Sequence, residues 1–224
     1  MNTTIEPDKQ NRIVLTREVR QAAGFAPGEA REIDLGLARV RAARMSYIGG
    51  PGIELYIPSE CALHVYDTLV EAGAEFAARD AGYYAIDALR IEAGRRAFGA
   101  ELGPDETPLE AGLLYTVKFD KGDFIGRTAL LKQRETGPRK RLAMLALDDP
   151  DAFPWGGEPV LRDGVAVGEV TSAGYSVTLG RAVVMAYVRG TAPVTREHLL
   201  AGRYEIDIAG ERVGATAQTK PVFP

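Results

Sequence analysis

The chain of 224 residues suits one large domain or two small ones, and 46% hydrophobic with 26% charged residues is the composition of an ordinary globular protein. A net charge of −4 leaves no global basic field to hold nucleic acid or an anionic membrane surface. The single cysteine, Cys61, cannot form an internal disulfide, and the polar start MNTTIEPDKQ and the lack of any long apolar run point to a cytoplasmic protein with no membrane segment.

Residues 1–34 form a first block. From Asp8 to Glu29 it runs as an apolar stretch Arg12-Ile13-Val14-Leu15, a polar turn Glu18-Val19-Arg20, and then Gly24 followed by Pro27-Gly28-Glu29. This order resembles an AbrB-type swapped-hairpin module, with Asn11 and Thr16 where that family has glycine and proline. The resemblance implies dimers built from intertwined strands. DNA binding is that module's usual use, and an assembly handle is the alternative.

Residues 35–136 read as an α+β region. Leu37–Arg41 and Ile53–Ile57 alternate as strands do, and the glycine-rich turn Tyr47-Ile48-Gly49-Gly50-Pro51-Gly52 joins them. Ser59 is placed to cap a helix running to Ala72, with Gly73 as its stop and Leu63, Val65, Tyr66, Leu69 and Val70 as its apolar face. A second helix is expected from Tyr84 to Ala93, stopped by Gly94. A third follows Gly126 and runs to Glu135. The segment Asp105–Leu113 reads as a turn entering a buried strand, with Glu110 a packed structural acid. The basic run Arg134–Arg141 reads as a solvated linker.

Residues 137–224 are rich in strands. Leu142–Leu147, Pro159–Leu161, Ala166–Thr171, Ala182–Val188 and Tyr204–Ile208 are short apolar or alternating runs, and Asp163-Gly164 and Gly210-Glu211 punctuate them. A barrel or sandwich of about six strands fits this spacing.

Three residues carry the candidate chemistry. Tyr47 and Glu54 flank the glycine-rich turn. A carboxylate accepts two N–H donors at once, which suits an amino-pyrimidine edge, and a phenol offers a stacking face. An exposed glutamate and a core tyrosine on a plain hairpin are the alternative. Arg90 lies one helical turn from Asp87, so either a solvent-facing ion pair or a guanidinium aimed at a ligand or a neighbouring acid is possible. His64 and His198 are far apart with no carboxylate or cysteine pattern around them, so no metal site is expected. Neither a phosphate loop nor a G-x-G-x-x-G fingerprint is present.

Read together, several segments resemble one family. They are Arg31–Gly36, Arg44–Gly49, Gly52–Pro58, Leu89–Glu92, Thr107–Leu113, Asp123–Arg127 and Val170–Ser176. Their order is similar to the folate-binding domain of the glycine-cleavage T-protein (aminomethyltransferase) family, and the lead-in REIDLGLARVRA looks like its dimethylglycine and sarcosine dehydrogenase branch. The resemblance covers about residue 30 to the end and is read as the C-terminal half of the family's fold. It implies a folate-binding aminomethyltransferase-like α+β region followed by a small C-terminal β-barrel, with tetrahydrofolate as cofactor. Tyr47 and Glu54 match positions that hold the pterin, and Arg90 matches an arginine of the active-site region. Gly50 departs from the family's glutamate, and Ile53 replaces an aromatic residue. The aspartate assigned to one-carbon transfer belongs to the half with no counterpart here, so no catalytic residue is assigned.

Two functions follow. One is a split half or subunit of a tetrahydrofolate-dependent methyl or aminomethyl transferase or demethylase. A partner chain, a flavin oxidoreductase subunit among the options, would supply the rest, giving a homo- or hetero-oligomer. The other is a non-catalytic binding or assembly module that docks on an oxidoreductase or other partner.

Overall fold

The computed structural model describes residue 24, residues 26–218 and residues 221–222. The stretch read as a swapped hairpin lies for the most part outside them. The chain divides into two compact units between Tyr83 and Tyr84. This differs from the expected breaks after residues 34 and 136. Residue 34 falls within the first strand, and the expected α+β region is shared between the units.

The first unit is a three-stranded antiparallel sheet and a helix. Strand β1 (Ala30–Leu35) pairs with β2 (Ala38–Ala43), which pairs with β3 (Glu54–Tyr56). Alternation sorts the residues: Leu35, Ala38 and Val40 enter the core with Ile33 and Leu55 beside them. The other face is a polar ladder in which Asp34 stands opposite Arg39 and Glu32 opposite Arg41. Helix α1 (Ala62–Gly73) covers the core face through Val65 and Leu69.

Three details of α1 correct the sequence reading. Ser59 does not cap it; the helix grows out of a 3-10 turn, Ser59–Cys61, whose last N–H donates to Pro58 O at 2.9 Å. Gly73 is right-handed (φ −82°) and the coil continues through Ala74–Phe76 to Ala77, which takes the left-handed conformation at φ 53°. Gly73 is required by packing, since a Cβ there would meet the Ala78 Cβ at 2.5 Å. The apolar face is also narrower than its periodicity suggests. Leu63, Tyr66 and Val70 are exposed, because a small sheet covers only one stripe of the helix.

In the second unit, α2 (Tyr83–Glu92) is stopped by Gly94 at φ 64° and α3 (Arg127–Thr136) by Gly137 at φ 77°, as their glycines predict. No strand forms at Asp105–Leu113. That segment makes tight turns and leads to a 3-10 turn, Leu114–Thr116. Glu110 is nonetheless a structural acid: its carboxylate accepts the Thr107 N–H at 2.9 Å and the Gln133 side-chain amide at 3.3 Å. The basic run is no linker, since Arg134 lies in α3 over the Phe119 ring and Lys140 opens the next strand.

The rest of the unit is a closed barrel in the order β4-β7-β6-β5-β8-β9. Its strands are β4 (Lys140–Leu147), β5 (Pro159–Arg162), β6 (Val165–Ser176), β7 (Arg181–Arg189), β8 (Tyr204–Ile208) and β9 (Glu211–Gln218). A short helix, α4 (Arg196–Ala201), lies between β7 and β8, and its cap Thr195 accepts the His198 N–H. Leu145, Leu147, Val160, Val184, Val188, Tyr204 and Ile206 fill the interior. Strands β4 and β7 are apolar on both faces because Met144, Ala146, Val183 and Met185 pack outward against Ile91 of α2. Strand β6 serves two neighbours: its first half pairs with β5, its second with β7, and a bulge at Thr171 turns the corner.

Gly168 lies against the backbone of β7, where an added Cβ would collide with the carbonyl of Tyr187. Gly168→Ala is expected to lower stability by about 3 kcal/mol through overpacking. Gly164→Ala, in open space at φ 81°, should cost only about 1 kcal/mol from backbone conformation. Urea unfolding of the two variants measures the contrast.

Candidate functional site

Tyr47 and Glu54 belong to the first unit and Arg90 to the second. Each is described within its own unit.

The loop between β2 and β3 is fixed by local contacts. Ser46 Oγ donates to Gly49 O at 2.8 Å, Gly49 and Gly50 take positive φ, and Gly52 packs so closely that a Cβ would stand 2.7 Å from Met45 O. The loop thereby presents Tyr47, 40% exposed, beside Ile48. Glu54 opens β3 on the face opposite Leu55, half-buried, and its Oε2 accepts the Tyr56 hydroxyl at 2.9 Å. That bond to a carboxylate raises the Tyr56 pKa, so the phenol stays a donor. The loop thus carries Tyr47, and Glu54, at the start of the strand that follows it, keeps Oε1 outside its bond to Tyr56. His64 is structural: its Nε2 accepts the Leu37 N–H at 2.8 Å and supports the β1–β2 turn.

Arg90 sits in a buried network. The expected pair with Asp87 exists at 2.7 Å, but it is not solvent-facing on the arginine side, where only 2% of the side chain is accessible. Its Nη1 donates to Glu101 Oε2 at 2.7 Å and its Nη2 to Ser172 Oγ at 2.6 Å. Glu101 is fully buried and also accepts the Ala97 N–H at 2.9 Å. Its other oxygen lies 2.7 Å from the hydroxyl of Thr171, the residue that the β6 bulge turns out of register. The Tyr187 hydroxyl donates to the Glu101 carbonyl at 2.8 Å, and burial pushes that phenol's pKa up. Two residues further along α2, the buried Glu92 carboxylate accepts from Ser176 Oγ and from the Thr178 N–H at 3.0 Å. Helix α2 is thus held to strand β6 by an arginine and an acid, each bonded to a serine: Arg90 to Ser172 and Glu92 to Ser176. No group of three or more His, Cys, Asp or Glu suited to a metal occurs among the described residues. Nor is any helix there long and apolar enough to cross a membrane.

Sequence spacing pointed to Arg90 through Asp87 and missed Glu101, an isolated acid in Phe98-Gly99-Ala100-Glu101-Leu102 with no pattern around it. Ser172 and Ser176 fall inside the quoted Val170–Ser176 motif, which was the one available signal.

If Glu101 neutralises Arg90 in the interior, then Glu101→Gln leaves the buried guanidinium with only the half-exposed Asp87 as counter-charge and is expected to cost about 3 kcal/mol. Asp87→Asn, at the exposed end of the network, should cost about 1 kcal/mol or less. Chemical denaturation of the two variants is the measurement.

Comparison with known proteins places these features. The GCVT N-terminal domain model matches residues 12–121, and the glycine cleavage T-protein C-terminal barrel domain model matches residues 140–224. The α+β region thus carries part of the N-terminal domain, and the barrel follows it. The mouse (Mus musculus) pyruvate dehydrogenase phosphatase regulatory subunit is 45% identical over 86% of this chain and 23% of its own length. Mouse sarcosine dehydrogenase is 38% identical over 82% of this chain and 20% of its own length. Both names carry the word mitochondrial. The crystal structure of glycine cleavage system aminomethyltransferase T from Bartonella henselae superposes with a TM-score of 0.74 at 24% identity, over 90% of this chain and 55% of that one. The chain thus spans about a fifth to a quarter of these two curated relatives. With both domain models matched in order, the chain belongs to the glycine-cleavage T-protein (aminomethyltransferase) family.

Proposed function

We propose that this chain is one part of a tetrahydrofolate-dependent one-carbon transferase or demethylase, completed by a partner chain. The observation that carries the reading is the glycine loop that presents Tyr47 and leads into Glu54 at the start of β3, within a chain of this family. Glu54 would accept N–H donors of the pterin at Oε1, since Oε2 is engaged by Tyr56, and Tyr47 would lie against the ring. Arg90 would act as a positioning residue: fully engaged by Glu101, Asp87 and Ser172, it sets how α2 lies on the barrel. Tetrahydrofolate would supply the N5 nitrogen that receives the one-carbon unit. This chain's own contribution is orientation, the larger part of catalysis when two bound reactants must meet. A flavin oxidoreductase subunit is the favoured partner class, because a relative of the same branch is named a dehydrogenase.

A second reading rests on a different observation. The 45% identity with a regulatory subunit favours a non-catalytic binding or assembly module.

Calorimetry with tetrahydrofolate separates them. The chain, alone or with its co-purified partner, is expected to bind saturably. Glu54→Gln should weaken binding about tenfold, the worth of a charge-assisted hydrogen bond. No binding in either state would refute the folate reading and leave the regulatory one. Equal binding by Glu54→Gln would remove Glu54 from the pterin site.

A further inference from the structure

Strand β3 is three residues long and stands last in the sheet order β1-β2-β3, so its side chains have strand neighbours on one side only. Glu54 is its first residue. A glutamate there turns about several bonds, and ordering it costs free energy that an incoming ligand would otherwise have to supply. Register decides what can hold it. Directly opposite Glu54 on β2 stands Ala43, and opposite Ala43 on β1 stands Ala30. Neither side chain offers a donor. The cation on that face, Arg41, is displaced by two residues: it stands opposite Tyr56, with Glu32 on its other side. Arg41 is therefore a diagonal neighbour of Glu54, a relation that spans about 7–8 Å.

Tyr56 is the group that reaches. Residues two apart on a strand share a face, so its ring lies beside Glu54, and its hydroxyl donates to Oε2 at 2.9 Å. A tyrosine suits this task, because its side chain turns about two bonds only and carries the hydroxyl on a rigid ring. The phenol also keeps its proton. The hydrogen bond to Glu54, and then the charge of that carboxylate, raise its pKa against the opposing pull of Arg41. Tyr56 is 54% exposed, so without this bond water would satisfy its hydroxyl, and the fold does not depend on it.

We propose that Tyr56 is a positioning residue of the site formed by Tyr47 and Glu54: its hydroxyl holds Glu54 Oε2, so that the carboxylate meets a ligand N–H through Oε1. The choice of ligand rests on the folate reading, whereas the holding of Glu54 is a property of the chain before any ligand arrives. A carboxylate with both oxygens free clasps two N–H donors at once. With Oε2 committed, Glu54 presents one oxygen in one direction, and its ordering is complete before binding.

Two measurements on the whole chain test this. In the first, no ligand is present. Tyrosine isotopically labelled at the ring carbon that bears the hydroxyl reports the ionisation of each phenol by NMR, and Tyr56→Phe identifies the resonance of Tyr56. Tyr56 is expected to ionise at a higher pH than an unperturbed tyrosine, and Glu54→Ala should bring it back toward the ordinary value. The second is calorimetry with tetrahydrofolate, on the chain with any co-purified partner. Tyr56→Phe should bind about fivefold more weakly than the unmodified chain, the worth of one hydrogen bond. In a Glu54→Ala background the same change should cost nothing further, since a residue that acts through Glu54 has nothing left to act on. Ionisation of Tyr56 untouched by Glu54→Ala, unchanged affinity in folded Tyr56→Phe, or losses that multiply in the double variant would each overturn the proposal. If the unmodified chain does not bind tetrahydrofolate, the folate reading falls, and the ionisation measurement by itself decides whether Tyr56 holds Glu54.

Discussion

The second unit depends on one buried ion pair. Arg90 and Glu101 meet out of water, and each is acceptable there because the other, together with Asp87 on the arginine side and a set of neutral partners, satisfies it. The pair is also a geometric device. Arg90 comes from α2, Glu101 from the loop after it, and their remaining contacts go to Thr171 and Ser172 on β6 and to Tyr187 on β7. A charge that has to be paired thereby fixes a helix, a loop and two barrel strands in one arrangement. A hydrophobic contact, which has no direction, would not specify them so narrowly.

The β6 bulge belongs to the same device. A regular strand would send Thr171 and Ser172 to opposite faces of the sheet. The extra residue breaks that alternation, so that both hydroxyls reach the network. Close approach is then carried by glycines. Gly174 leaves room for Ala88 and Ile91 of α2, where a Cβ would stand within 3.1 Å of both. The helix lies flush on the barrel and buries Ile91 against Met144 and Met185.

The first unit uses glycine differently. There the loop between β2 and β3 must be rigid without being buried, and it is built from a serine-to-carbonyl bond and left-handed glycines. Such a loop can offer an aromatic ring and a carboxylate to a ligand at little cost in ordering entropy. The two units differ in construction: one braces a helix on a barrel, and the other is a small sheet and helix with an exposed glycine loop.

Much of this was legible in the sequence. Alternation in Leu37–Arg41, the glycine stop at Gly94 and the Asp163-Gly164 turn are local signals, and local conformation obeys them. The resemblance carried by the ordered motifs identified the family and the barrel. What the sequence did not decide is whatever depends on a neighbour distant along the chain. Gly73 looked like a helix stop and is a packing glycine, because Ala78 folds back onto it. Asp105–Leu113 read as a turn entering a buried strand, and only the turns form, its one backbone bond to a strand running from the Leu142 N–H to Glu110 O. Asp87 and Arg90 share a helix face by spacing alone, but whether that face meets water or an acid was settled by Glu101, eleven residues further along from Arg90. Periodicity reports which residues share a face. Only the tertiary structure says what that face meets, because burial and charge pairing are properties of the assembled chain.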